Sequence, residues 1–195
     1  MSIVIGIKTR SDVYLGSDSC IVNRDGNATV AYRVFPMEKC RSCVMGCVGS
    51  VEKINALKTD TLQLVPSYWE VVDYKYISAT MCPSIRKLMD SIGMLKKRDD
   101  GVSDMGSSLL VGNGYGIFII DRYFNVLQVD DFCAVGDGAQ YALESLYETV
   151  GMNPKIRIKK AIAAAAKAVR IEYPISVIHS KGRGKIALIP EREFK

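Results

Sequence analysis

Ser2-Ile3-Val4-Ile5-Gly6-Ile7 and Val13-Tyr14-Leu15-Gly16-Ser17-Asp18 flank a polar turn, Thr9-Arg10-Ser11-Asp12, at the head of the chain. Val, Ile and Tyr suit a pleated, half-buried surface, so the stretch reads as a β-hairpin. Ile3-Val4-Ile5 is apolar at successive positions, which fits a sheet covered on both faces. A serine stands directly after Met1, and an aspartate ends the second strand. A small hydroxyl residue that becomes the first residue of a chain can attack a carbonyl, with its own α-amine as the base.

Working outward, residues 29–37 read as a strand whose regular pairing ends at Pro36. Glu38 to Ser42 is a polar turn, and Cys43-Val44-Met45-Gly46-Cys47-Val48 is a strand closed by Gly49. The period then changes. Ser50 is a candidate N-cap for a helix with Ile54, Leu57, Thr61 and Leu64 on one face, ending at Pro66-Ser67. A second helix carries Ile77, Met81, Ile85, Leu88, Ile92 and Leu95, and Pro83 either kinks or starts it. Lys96 to Gly106 reads as an exposed loop. Strands return at 108–111, 116–120, 125–129 and 132–135, with a turn at Asp121 to Phe124. Gly112-Asn113-Gly114-Tyr115-Gly116 is not a nucleotide-binding loop, because a strand follows it where a helix is needed.

Gly138 opens a helix with Ala142, Leu143, Leu146 and Val150 on one side, stopped by Gly151. Asn153-Pro154 caps the next helix, which turns Ile158, Ala161, Ile162 and Ala165 inward. A last hairpin pairs 175–178 with 186–189 around Gly182-Arg183-Gly184. Strands, two helices, strands, two helices, strands can bury two sheet faces by stacking helix, sheet, sheet, helix. The expected class is α+β, a four-layer α-β-β-α sandwich. No repeat or linker divides residues 1–195, so one domain is expected.

Composition narrows the function. Apolar content of 48% and charge content of 24% over 195 residues describe an ordinary globular chain with a sizeable core. The net charge of +5 is spread along the chain without aromatic interleaving, so no nucleic-acid partner is expected. No apolar run is long enough to span a bilayer, and the first residues lack the basic flank and cleavage site of a secretion signal. A cytoplasmic protein is expected, with no membrane partner, its six cysteines reduced. Cys40-Arg41-Ser42-Cys43 has metal-site spacing. A zinc site needs four ligands, and neither a second pair nor a nearby histidine follows; His179 is the only histidine. The expected reading is thiols on a strand, with no metal and no cofactor.

The Ser2-Ile-Val-Ile-Gly-Ile opening, Leu15-Gly16-Ser17-Asp18, Arg33-Val34-Phe35-Pro36-Met37 and Val44-Met45-Gly46-Cys47-Val48-Gly49-Ser50 ahead of a helix resemble the proteasome β-subunit family and its bacterial HslV-type relatives. Ser108-Leu-Leu-Val-Gly, Phe118 to Asp121 and Asp131-Phe-Cys-Ala-Val-Gly-Asp-Gly138 are similar to the family in the same order. The resemblance covers nearly the whole chain. It implies the N-terminal-nucleophile (Ntn) hydrolase fold and a threonine- or serine-type endopeptidase. Ser2 falls in the nucleophile's place once Met1 is removed, and Asp18 on the strand-end aspartate. Arg33 falls where the family has lysine. Gly46 falls on the glycine whose N–H stabilises the oxyanion, and Asp137 where the family commonly has serine.

Two departures follow from that alignment. Guanidinium stays charged and shuttles no proton, so Arg33 serves as an electrostatic partner of Asp18. Asp137 either sits at the site, against the amine or Arg33, or caps the helix behind Gly138. Ile21, Val22, Ala31, Val44 and Val48 fall near the family's primary pocket, which implies an apolar side chain before the cut. The resemblance further implies peptide or unfolded-protein substrates and homo-oligomeric stacked rings. It also implies a separate ATP-dependent unfoldase, since no nucleotide motif is present. Two other readings stay open: a proteasome-like scaffold without turnover, with Met1 retained, and amide hydrolysis of a small molecule.

Overall fold

The computed structural model describes residues 2–22, 28–37, 40, 42–59, 64, 71–167, 171, 174–182, 185, 187–190 and 192. Strand β1 (Ile3–Lys8) and strand β2 (Val13–Ser17) form the expected hairpin, with Val4 opposite Ser17 and Lys8 opposite Val13. The turn closes on itself: the Asp12 N–H donates to Thr9 Oγ1 at 3.0 Å and the Thr9 N–H to the Asp12 carbonyl at 2.8 Å. Ile3, Ile5 and Ile7 pack on Ala142, Leu146, Ile158 and Ile162, whereas Val4 packs among Val34, Val44, Leu110 and Ile117. Both faces of β1 are therefore buried in protein, which is why its sequence shows no alternation.

The remaining strands are β3 (Cys20–Val22), β4 (Ala28–Val30), β5 (Val34–Pro36), β6 (Val44–Cys47), β7 (Lys96–Lys97), β8 (Ser103–Asp104), β9 (Leu109–Asn113), β10 (Gly116–Ile120), β11 (Val126–Val129), β12 (Phe132–Gly136), β13 (Ile175–His179) and β14 (Ala187–Ile189). Two five-stranded antiparallel sheets result, ordered β12-β1-β2-β13-β14 and β11-β10-β9-β6-β5. Helix α1 (Val51–Thr59) and a long rod α2 (Tyr74–Tyr76, Ile77–Met81 and Cys82–Ser91) share a core with the second sheet, through Ile54, Leu57, Ile77, Ile85 and Phe118. Helices α3 (Ala139–Glu148) and α4 (Pro154–Ala165) cover the first sheet. The third core lies between the sheets. This is the expected α-β-β-α sandwich of α+β class.

Several expectations shift in detail. Pro36 is the last residue of β5 and pairs with Val44; β5 is an edge strand, where a missing N–H costs least. The first helix ends at Thr59; Thr61, Pro66 and Ser67 lie outside the described residues. Pro83 lies in the first turn of the α-helical segment Cys82–Ser91, near where one of the two expectations started the helix, but the rod itself begins earlier. The turn before it, Ile77–Met81, widens to π geometry, and the Cys82 N–H donates to the Ile77 carbonyl five residues back. A widened turn accommodates the ring and the missing donor of a proline. Lys96 to Gly106 is not all loop, since β7 pairs with β8. The expectation of reduced thiols fails at one pair: Cys40 and Cys43 are joined as a disulfide across the β5–β6 turn, where the Met37 N–H meets the Cys43 carbonyl at 3.0 Å. Cys47, Cys82 and Cys133 are buried free thiols.

Candidate active site

Antiparallel pairing gathers the site. The start of β1, the end of β2 and the end of β12 share one edge of the first sheet, with Ile3 opposite Gly136. The start of β5 and the end of β6 share one edge of the second, with Val34 opposite Gly46. Stacking the sheets brings these edges together. Ser2, Asp18 and Arg33 are 8%, 0% and 3% exposed.

Ser2 is clasped by the residue after β12. Its N–H donates to Asp137 Oδ2 at 3.1 Å, and its carbonyl accepts from the Asp137 N–H at 3.0 Å. Gly136 allows the clasp: it sits at φ +109°, and a Cβ there would lie 2.1 Å from the Ser2 carbonyl oxygen. The N-cap position of α3 is held by Gly138 without a side-chain bond, so Asp137 Oδ2 turns to Ser2 rather than capping the helix.

Asp18 and Arg33 join the two sheets. Asp18 Oδ1 accepts the Ile3 N–H at 3.0 Å and lies 3.4 Å from Arg33 Nε. Arg33 Nη1 donates to the Gly49 carbonyl at 3.0 Å, and the Arg33 carbonyl accepts the Cys47 N–H at 2.9 Å. The Ile3 N–H on Asp18 and the Gly49 carbonyl on Arg33 Nη1 offset part of the cost of burying this ion pair. Ser2, Asp18, Arg33 and Asp137 thus converge on the start of β1.

Gly46 does not join them. It lies inside β6, flanked by Val34 on β5 and Leu110 on β9, and its missing Cβ would lie 2.5 Å from Val4 Cγ1. The missing Cβ lets the sheets close. The backbone at the site belongs to Gly49, just beyond β6, at φ +132° and tied by its carbonyl to Arg33. Val44, expected near the pocket, packs in the inter-sheet core, and Val48 packs there too while lying against Gly136, beside Ser2. The side chains of Ile21 and Val22, and all of Met1, lie outside the description.

Sequence reasoning missed Gly49 and Gly136. The available signal was a glycine directly after a strand and before a helix or turn. The free thiols among the described residues are Cys47, Cys82 and Cys133. Burial pushes Cys47 and Cys133 up to about 12 and Cys82 to about 11, so all three stay protonated near neutrality. Among the described residues, no group of three or more His, Cys, Asp or Glu side chains is placed to hold a metal ion.

No family model matches the sequence, and no curated protein matches it significantly. Solved structures do match. Thiobacillus denitrificans BPH superimposes with a TM-score of 0.73 at 15% identity, over 91% of this chain and 96% of that one; it has also been solved in complex with epoxomicin. HslV from Trypanosoma brucei gives 0.66 at 15%, over 91% and 98%. The Anbu complex of Pseudomonas aeruginosa, solved as a helical assembly, gives 0.69 at 16%, over 97% and 87%. The chain has the proteasome-like, HslV-type fold. Ser2 directly precedes β1, and both its main-chain groups are engaged.

Proposed function

We propose that the chain is a proteasome-like endopeptidase subunit whose nucleophile is Ser2, exposed by loss of Met1. The carrying observation is the placement of Ser2. It is nearly buried at the start of β1, its backbone held by Asp137, with the Asp18–Arg33 pair bonded to the next amide. Ser2 Oγ attacks the scissile carbonyl while the α-amine takes the hydroxyl proton. An α-amine titrates at about 7.7–8.0 unperturbed, which suits a base near neutrality. The tetrahedral oxyanion takes the Gly49 N–H, in place of the Gly46 N–H, and the charge of Arg33 favours it. Collapse breaks the C–N bond, the amine returns its proton to the leaving group, and water hydrolyses the remaining ester. Arg33 holds a fixed charge throughout.

Peptides or unfolded proteins are the proposed substrates, and any ATP-driven unfolding comes from a separate unfoldase. Homo-oligomeric assembly is part of the proposal. Support comes from the assembled Anbu neighbour and from the exposed Tyr147, Val150, Met152 and Ile156 at the α3–α4 connection.

The test joins mass and labelling. Intact mass should show loss of Met1, and epoxomicin, which one structural neighbour binds, should add to Ser2 and not to the Ser2→Ala variant. Retained methionine sinks the reading and leaves the fold untouched. One observation favours a second reading, a scaffold without turnover: the Ser2 N–H already donates to a carboxylate. A carboxylate there opposes the neutral amine that catalysis needs. A fully retained Met1 in the assembled protein is the result expected of that reading.

A further inference from the structure

The motif Cys40-Arg41-Ser42-Cys43 lies away from Ser2. Val34 pairs with Gly46 and Pro36 with Val44, so the turn after Pro36 is at the opposite end of the β5–β6 hairpin from Arg33 and Gly49. Its two cysteines are bonded to each other, whereas Cys47, Cys82 and Cys133 are buried and free. The two sulfurs of the pair differ in access. Cys43 is 2% exposed and sits with Met37 and Met45 in the core that α1 and α2 share with the second sheet. Cys40 is half-buried and packs against the edge of that core. A reagent from solvent therefore meets Cys40 first.

The turn keeps its shape through hydrogen bonds. The Cys40 N–H donates to the Met37 carbonyl at 2.9 Å, the Cys43 N–H to the Cys40 carbonyl at 2.9 Å, and the Met37 N–H to the Cys43 carbonyl at 3.0 Å. The covalent link spans a sequence separation of only 3. A disulfide stabilises mainly by constraining the unfolded chain, and short loops gain least. The oxidised and reduced pairs thus fit the same fold. Lys39 and Arg41 flank Cys40 in the sequence, and positive charge beside a thiol favours the thiolate that exchanges.

We propose that Cys40 and Cys43 form a reversible thiol–disulfide site whose reactant is a low-molecular-weight thiol or its disulfide. Cys40 is the sulfur that exchanges and Cys43 the one that resolves. In reduction, the thiolate of a small thiol attacks Cys40 Sγ and the bond to Cys43 breaks. Cys43 leaves as a thiolate and takes up a proton. A second small thiolate attacks the small-thiol sulfur of the mixed disulfide. Cys40 is released and protonated, and the small disulfide departs; two electrons have passed from two small thiols to the pair. Oxidation runs the same steps backwards, with Cys40 attacking the small disulfide and Cys43 closing the bond. None of these steps uses Ser2, so the site stands or falls apart from the hydrolase reading.

The full-length protein is equilibrated in glutathione buffers from oxidising to reducing, quenched in acid, alkylated unfolded and mapped by mass. The peptide holding Cys40 and Cys43 should pass from linked to doubly alkylated and back, while Cys47, Cys82 and Cys133 are alkylated throughout. In the reduced native protein, iodoacetamide should reach Cys40 about 10-fold faster than Cys43. Cys43→Ser in oxidised glutathione should hold a glutathione on Cys40, and Cys40→Ser should take up about 10-fold less on Cys43. A pair that stays linked in excess reduced glutathione overturns the proposal, as does one that stays as thiols in oxidised glutathione. Equal alkylation rates at Cys40 and Cys43 in the wild-type protein overturn the assigned roles without recourse to either variant.

Discussion

Asp137 places its carboxylate on the Ser2 N–H and its own N–H on the Ser2 carbonyl. Once Ser2 is the first residue, that carboxylate faces an amine that must be neutral to act as a base. A neighbouring negative charge raises the amine's titration, and the Arg33 guanidinium opposes it. Activity should therefore rise with pH through the amine's range. Asp137→Asn should move the rising limb of the kcat/KM profile down by about one pH unit. An unmoved limb would show that the amine does not sense Asp137. The residue's importance was half legible in the sequence, which left it between the site and a helix cap. Only the pairing of Ile3 with Gly136, across more than 130 residues of chain, decided between them.

At the scale of elements, β6 shows how a local pattern misleads. Gly46 and Gly49 stand three residues apart in one strand-to-helix stretch. Pleat and pairing separate their roles: Gly46 points at Val4 between the sheets, and Gly49 falls past the last ladder residue, beside Arg33. Gly46→Ala drives a methyl against Val4 Cγ1 at 2.5 Å and should destabilise the fold by about 1–3 kcal/mol, read from urea unfolding. A neutral substitution would mean that the sheets can part there. The helices were more legible. Their apolar residues recur at a 3.6-residue period, and Asn153 caps α4 as its sequence suggests, accepting the Lys155 N–H at 3.0 Å. The π turn ahead of Pro83 was not legible, because how a rod absorbs a proline depends on what it packs against.

Across the whole molecule, Asp12 ties the first turn to the chain's last quarter. Its Oδ2 lies 2.6 Å from His179 Nδ1, and its Oδ1 accepts from Ser180 Oγ and from the Lys181 N–H at 3.0 Å. Burial by itself would raise this carboxyl, but the bonds from Ser180, His179 and Lys181 outweigh it and hold its pKa below 3.8. A depressed folded value means that the stabilisation is fully present above the unfolded value and is lost as pH falls through the folded one. Asp12→Asn should cost about 1–3 kcal/mol at neutral pH, with the gap to wild type narrowing below about pH 4. Urea unfolding at the two pH values checks this, and a gap independent of pH would count against an ionic role. The sequence by itself determined the main strands and helices and their order, though not the short β7–β8 pair, and so the four-layer sandwich, because those follow from periods of two and 3.6 residues and from turn chemistry within short windows. The tertiary structure decided that Gly46 packs on Val4 while Gly49 meets Arg33, that Asp137 turns to Ser2, and that His179 belongs to Asp12. Those outcomes depend on register and stacking between distant segments, and a one-residue shift of register reverses the face that every side chain presents.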